Sequence, residues 1–250
     1  MVDYVLKKEA YNELSNNKKS LIIYYDSIYG FCYHQDGKET IFKKFDDKFK
    51  NIVFVFRNIN KDIGLKVIDK IICEVKKIER KLKNKDIKAY VYFENCNSNY
   101  IPFIITSTLL LNIYEKRERI DFLYDSICEY LDDIVVKNNV CGFENDKCIA
   151  KRNTNCTMGC CHHFNNIYFG LLYEKKMHLC EYQKDKSCTA KCLTCKMYMC
   201  DTLKKKGYKY TTRNVLLIKR YFNPIQKLVI ITSFFTPKDK IMKRLMFFSI

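Results

Sequence analysis

The chain has 250 residues, 48% of them hydrophobic and 14% aromatic, which is ample for a packed core and excludes a disordered or fibrous chain. Its formal net charge is +17, from 45 Lys and Arg against 28 Asp and Glu, a balance that suits polyanionic rather than cationic partners. With 7 Gly and 3 Pro there is no flexible or proline-rich linker, and no low-complexity tract or internal repeat is visible.

Met1 to Ser20 is mixed charged and polar and lacks the apolar core of a secretory signal, so a cytoplasmic chain with reduced thiols is expected. Ser20 to Asp26 (SLIIYYD) is β-branched and aromatic and predicts a buried strand. Phe31 to Phe42 carries Asp36-Gly37 at its centre, the dipeptide that supplies positive φ to a two-residue hairpin turn. Asn51 to Arg57 (NIVFVFR) predicts a second strand. From Asn60 to Lys83, Ile63, Val67, Ile71, Val75, Ile78 and Leu82 recur at helical spacing, and Ile87 to Phe93 returns as a strand. Strand, helix and strand make a βαβ-like unit, so an α/β domain is expected over 1–140.

The most apolar run, Tyr100 to Tyr114, contains polar residues and falls short of the roughly 20 residues that cross a bilayer, so a buried helix and no membrane span is expected. The helical pattern runs from Pro102 to about Lys137, with a break at the charged cluster Glu115 to Arg119. Cys73 and Cys128 sit at core positions of helices, and Cys96 lies in a loop without a visible partner. Cys32 near His34 lacks any third group to orient a nucleophile and its base.

Ten of the fourteen cysteines and three of the four histidines then fall between Cys141 and Cys200. Deprotonated thiols repel one another unless a cation neutralises them, and reduced thiols need a reason other than disulfide bonding to cluster. A metal-binding α+β module over 141–250 is therefore expected, with ligands drawn from Cys141, Cys148, Cys156, Cys160, Cys161, His162, Cys180, Cys188, Cys192, Cys195 and Cys200. Ile167 to Tyr173 predicts a strand inside it. Cys188 to Lys206 predicts one helix ending at Gly207, which would bring Cys188, Cys192 and Cys195 to one face at i, i+4 and i+7. Arg213 to Phe222 reads as a short helix, Asn223-Pro224 as a turn, and Gln226 to Phe235 (QKLVIITSFF) as a strand. Thr236-Pro237 opens a last helix with Ile241, Leu245 and Phe248 on its apolar face.

Histidines nearby and the short Cys192-x-x-Cys195 favour structural zinc. The CxxxCxxC of Cys188, Cys192 and Cys195 also resembles the signature of radical S-adenosylmethionine enzymes, in which three cysteines hold three irons of a [4Fe–4S] cluster. That resemblance implies a redox or radical-type role. Only Lys196 to Ile250 follows the motif, however, too little chain for the barrel of that family. The wider pattern, from Cys141 through Cys160-Cys161 to Cys200 and Ser233-Phe234-Phe235-Thr236-Pro237, resembles an uncharacterised cysteine-rich bacterial family and supports one C-terminal unit.

No GxSxG, P-loop, GxGxxG or HExxH motif occurs, so the sequence establishes no reaction. Residues 201–250 carry twelve Lys and Arg against Asp201 and Asp239, which makes RNA or DNA one expected partner and a protein the other. Abundant Lys, Asn, Ile, Tyr and Phe are also what an A- and T-rich genome encodes, and no RNP-like aromatic motif accompanies the charge.

Overall fold

The structure is a computed structural model that describes residues 4–26, 30–32, 49–82, 86–137, 140, 142, 183–184, 187–188, 191–199 and 201–248. The chain divides into two compact units, Met1–Arg119 and Ile120–Ile250.

The first unit is built on a four-stranded mixed sheet. Its strands are β1 (Ser20–Asp26), β2 (Gly30–Cys32), β3 (Asn51–Arg57) and β4 (Lys88–Glu94), in the order β2-β1-β3-β4. β1, β3 and β4 run parallel, with Ile22 opposite Val53 and Val53 opposite Tyr90, while β2 returns antiparallel to β1. A parallel central strand is covered on both faces and reads as a continuous apolar run, as Ile52 to Phe56 does.

Val53 and Val55 turn towards helix α1 (Lys8–Ser15), where Leu6, Tyr11 and Leu14 pack on them. Ile52, Phe54 and Phe56 turn to the opposite face. There Phe31 meets Phe54 and Phe56 edge-on, at ring separations of 5.3 and 5.8 Å. That side is closed by α2 (Leu65–Lys81), which buries Ile68, Ile71, Ile72, Val75 and Ile78, and by α3 (Ile101–Leu109).

The strand, helix and strand expected over 51–93 are therefore present, and the fold class is α/β. The Asp36-Gly37 turn and His34 lie outside the described residues. Cys96 does have partners: its sulfur accepts from Ile59 N–H at 3.3 Å and lies 3.4 Å from Phe56 O, pinning the loops that follow β3 and β4. Both strands are followed by an asparagine at positive φ, Asn58 and Asn95, a conformation that asparagine tolerates better than most residues. At the edge of the sheet the Asn112 side chain mimics a strand, exchanging two hydrogen bonds with the backbone of Ala89 at 2.7 and 2.8 Å.

Helix α4 (Lys116–Lys137) begins inside the charged cluster where the break was expected, the non-helical residues being 113–115, and its buried stripe is Ile120, Leu123, Tyr124, Ile127, Cys128, Leu131 and Val135. The second unit continues through the two-residue strands β5 (Gln183–Lys184) and β6 (Ser187–Cys188). Helices α5 (Leu193–Met197), α6 (Asp201–Lys205), α7 (Leu216–Tyr221), α8 (Pro224–Thr232) and α9 (Lys238–Phe247) follow. Among the described residues no helix is long and apolar enough to cross a membrane. The strand expected over Ile167 to Tyr173 lies outside the described residues.

Two expectations fail in this unit. Gln226 to Phe235 is not a strand, because Pro224 to Thr232 forms α8. The β-branched run Val229-Ile230-Ile231-Thr232 has strand propensity, but the N-terminal signal overrides it. Asn223 Oδ1 accepts from Gln226 N–H at 2.8 Å, Gln226 Oε1 accepts from Asn223 N–H at 3.0 Å, and Pro224 occupies the first helical position. Asn223 Nδ2 also donates to Phe248 O at 2.8 Å, fastening the start of α8 to the end of α9. Asn223→Ala should therefore cost about 1–2 kcal/mol, at the upper end of measured N-cap losses. Asn223→Asp, which keeps the capping oxygen and loses the bond to Phe248, should cost less in urea unfolding of the full chain.

Cys188 to Lys206 is likewise not one helix. Cys188 sits in β6 opposite Gln183, Lys191 adopts φ 47°, and helical backbone resumes only after Cys192. A left-handed Lys191 cannot lie inside an α-helix. The cysteines at 188, 192 and 195 do not share a helical face.

Candidate metal centre

Cys192 and Cys195 occupy the turn that opens α5. Cys192 is the N-cap, at φ −77° and ψ 105°, and Lys196 N–H closes the first helical hydrogen bond onto its carbonyl at 3.1 Å. This geometry returns Cys195 towards Cys192, so that the Cys195 thiol and backbone N–H both point at the Cys192 sulfur. Cys192 and Cys195 are both buried, 1% and 8% exposed.

Three elements hold the turn in place. The first is α4, whose Tyr124 hydroxyl donates to Lys191 O at 2.9 Å and accepts from Leu193 N–H at 2.9 Å, bracketing Cys192 on both sides. One turn on, Cys128 Sγ donates to Lys191 O at 3.7 Å. A further turn on, Asp132 takes the Lys196 ammonium at 2.5 Å. The second is α8, where Ile230 O accepts from the Thr194 hydroxyl.

The third is the segment Ser233 to Thr236 between α8 and α9. Phe235 N–H donates to Cys195 Sγ at 3.4 Å, and Thr236 N–H points at the Cys192 sulfur. The root of α9 is anchored in turn, because the Lys238 ammonium lies 2.8 Å from both Asp121 and Asp125 on α4.

This surround determines the charge of the thiols. The Cys195 thiol donates to Cys192, and the N–H groups of Cys195 and Thr236 add to it. Together they outweigh burial and bring the Cys192 pKa down to about 6. A protonated Cys192 instead donates to Ser233 O at 3.1 Å. Several donors face one acceptor carbonyl, so the thiolate is the favoured form at neutral pH. Cys128 has the opposite surround, and burial pushes its thiol well up. Buried Tyr124 likewise keeps its proton, because burial raises its pKa.

A thiolate buried among N–H donors is what a metal-ligand turn requires, since the thiolate is the ligand and N–H···S bonds orient it. The same burial argues against a reactive thiol, which needs access to its substrate. Cys141, Cys148, Cys156, Cys160, Cys161, His162, Cys180 and Cys200 lie outside the described residues, and Cys188 is described through its backbone alone. Among the described residues no group of three or more His, Cys, Asp or Glu side chains is placed to hold a metal. Of the predicted ligands, the described residues thus bring together Cys192 and Cys195.

Sequence reasoning identified both thiols but not what presents them. Tyr124 sits on the apolar stripe of α4, where nothing in the sequence separates a hydrogen-bonding tyrosine from a core aromatic. No family model matches the chain, and neither a curated protein nor a solved structure does so.

Proposed function

We propose that the C-terminal unit is a thiolate-ligated metal-binding module, with Cys192 and Cys195 supplying two ligands and zinc as the metal. One observation carries the reading: backbone N–H groups from two segments about forty residues apart converge on two adjacent buried thiols. Zinc takes four ligands in a structural site. The remaining thiolates or imidazoles would come from Cys141, Cys148, Cys156, Cys160, Cys161, His162, Cys180, Cys188 and Cys200. The metal's task is to hold a loop-rich segment in shape, since binding free energy is folding free energy in such modules. The module then serves binding to a protein or nucleic-acid partner from a cytoplasmic chain.

A [4Fe–4S] cluster on the same thiols is the second reading, favoured by the cysteine at 188 preceding the pair. Elemental analysis and a visible spectrum of protein purified without oxygen separate the two. Colourless protein with at least one equivalent of zinc supports the structural module. A brown protein holding iron and sulfide moves the site to the cluster, and protein with neither metal removes both.

The low thiol pKa sets the pH at which metal leaves. Protons compete with the metal for the thiolates, so ligation fails on the acid side. With Cys192 ionised down to about pH 6, zinc should be retained at neutral pH and released as the solution falls through and below that value. A chromogenic chelator follows the release. Loss of zinc already above neutrality would show that the N–H donors do not hold the thiolate.

A further inference from the structure

A cleft of about 400 Å³ opens in the C-terminal unit beside the thiol turn. Its size falls in the range of small-ligand sites. Tyr198, Tyr210 and Phe234 supply aromatic walls, Lys204 and Lys209 supply cations, and Thr212 a hydroxyl. The Lys204 ammonium lies over the Tyr198 ring at 5.6 Å from its centre, so charge and ring already share one surface.

The cations extend beyond the cleft. Along 201–213, Lys204, Lys205, Lys206, Lys209 and Arg213 are all exposed, and the one carboxylate of that segment, Asp201, is 3.2 Å from Lys204. Lys204 and Lys209 line the cleft itself, and the other cations of the segment lie outside it. A chain of phosphates can reach past the two at the mouth, which a single small anion cannot.

We infer that this cleft binds single-stranded nucleic acid, one base entering among Tyr198, Tyr210 and Phe234 while the flanking phosphates follow the lysines. Stacking recognises the faces of a base, which a duplex hides and a single strand offers. The rings confer no hydrogen-bond code, so binding tolerates many sequences. Positive charge around the mouth makes it salt-dependent. The site is separate from the proposed metal, though it borders α5 through Thr194.

The test uses the full chain as purified and a short fluorescent oligouridylate read by anisotropy. Lys209→Glu reverses an exposed charge at the mouth, and Tyr198→Leu keeps apolar bulk while removing the ring. Each should weaken binding about tenfold, the scale of one lost stacked base. Lys209→Glu should also flatten the log–log salt dependence by about 0.7. Lys66→Glu, an exposed reversal on α2, controls for bulk charge. Metal content is measured in every variant, so a failed metal site is seen separately from a failed cleft.

Retained metal, weakened binding in the two cleft variants and little change in Lys66→Glu is the expected result. Four outcomes overturn it: no binding of the oligouridylate at low salt; a duplex binding as tightly as the single strand; Lys66→Glu weakening binding as much as Lys209→Glu; or UMP binding as tightly as the oligomer, which would make the ligand a free nucleotide.

Discussion

Cys192→Ala and Cys195→Ala should each lower the zinc content of the purified full chain and depress the melting of its C-terminal unit, while Cys128→Ala should leave the metal in place. The contrast follows from what surrounds each sulfur. Cys192 and Cys195 receive N–H donors and lie against each other, whereas Cys128 Sγ faces the Lys191 carbonyl in a setting that keeps it protonated. Structural zinc contributes about 10–16 kcal/mol to folding in small metal-dependent domains, so loss of one ligand should exceed any effect of lost side-chain volume. Cys128→Ala lowers stability by emptying core space and serves as the control for that volume. Cys160→Ala should resemble the two ligand variants if the Cys160-Cys161 pair completes the site. Full metal content with an unchanged melting curve in both Cys192→Ala and Cys195→Ala would end the metal reading.

Much of the first unit was legible because its signals are local and mutually consistent. Asn51 to Arg57 is apolar on both faces and became a central strand, and the isoleucine and valine spacing from Val67 to Ile78 became α2, with Ile63 and Leu82 just outside it. In the second unit local composition misled. Val229-Ile230-Ile231 suggests a strand, yet Asn223, Pro224 and Gln226 form a helix start that is itself readable in the sequence once their spacing is given priority over β-branching. Lys191 carries no mark of its positive φ, which follows from the tertiary bonds Tyr124 makes to the residues around Cys192. The identity of the two thiols was therefore visible, but the Phe235 and Thr236 N–H groups that reach them belong to a segment distant in sequence and act through backbone, which no side-chain pattern announces.

Asp132→Ala should destabilise the C-terminal unit by about 3 kcal/mol, the low end of the cost of stripping one partner from a buried ion pair, because Asp132 itself is partly open to water. The Lys196 side chain is 4% exposed against 36% for Asp132, and the two meet at 2.5 Å. Burial holds the Asp132 carboxyl above its ordinary pKa despite the Lys196 hydrogen bond and charge. Desolvation of the carboxylate thus works against the pair, although each half needs the other. An apolar replacement of both partners should then recover what the single change loses. Lys196→Met with Asp132→Leu is expected to unfold in urea at or above the wild-type midpoint, and a double-mutant cycle gives the coupling. Because Lys196 directly follows Cys195, Asp132→Ala should also loosen the thiol turn and reduce metal retention, and the double variant should restore it. If the double variant recovers stability but not metal, then the charge pair positions the thiols as well as filling space. If it recovers neither, packing around α5 depends on the lysine stem and not on its charge.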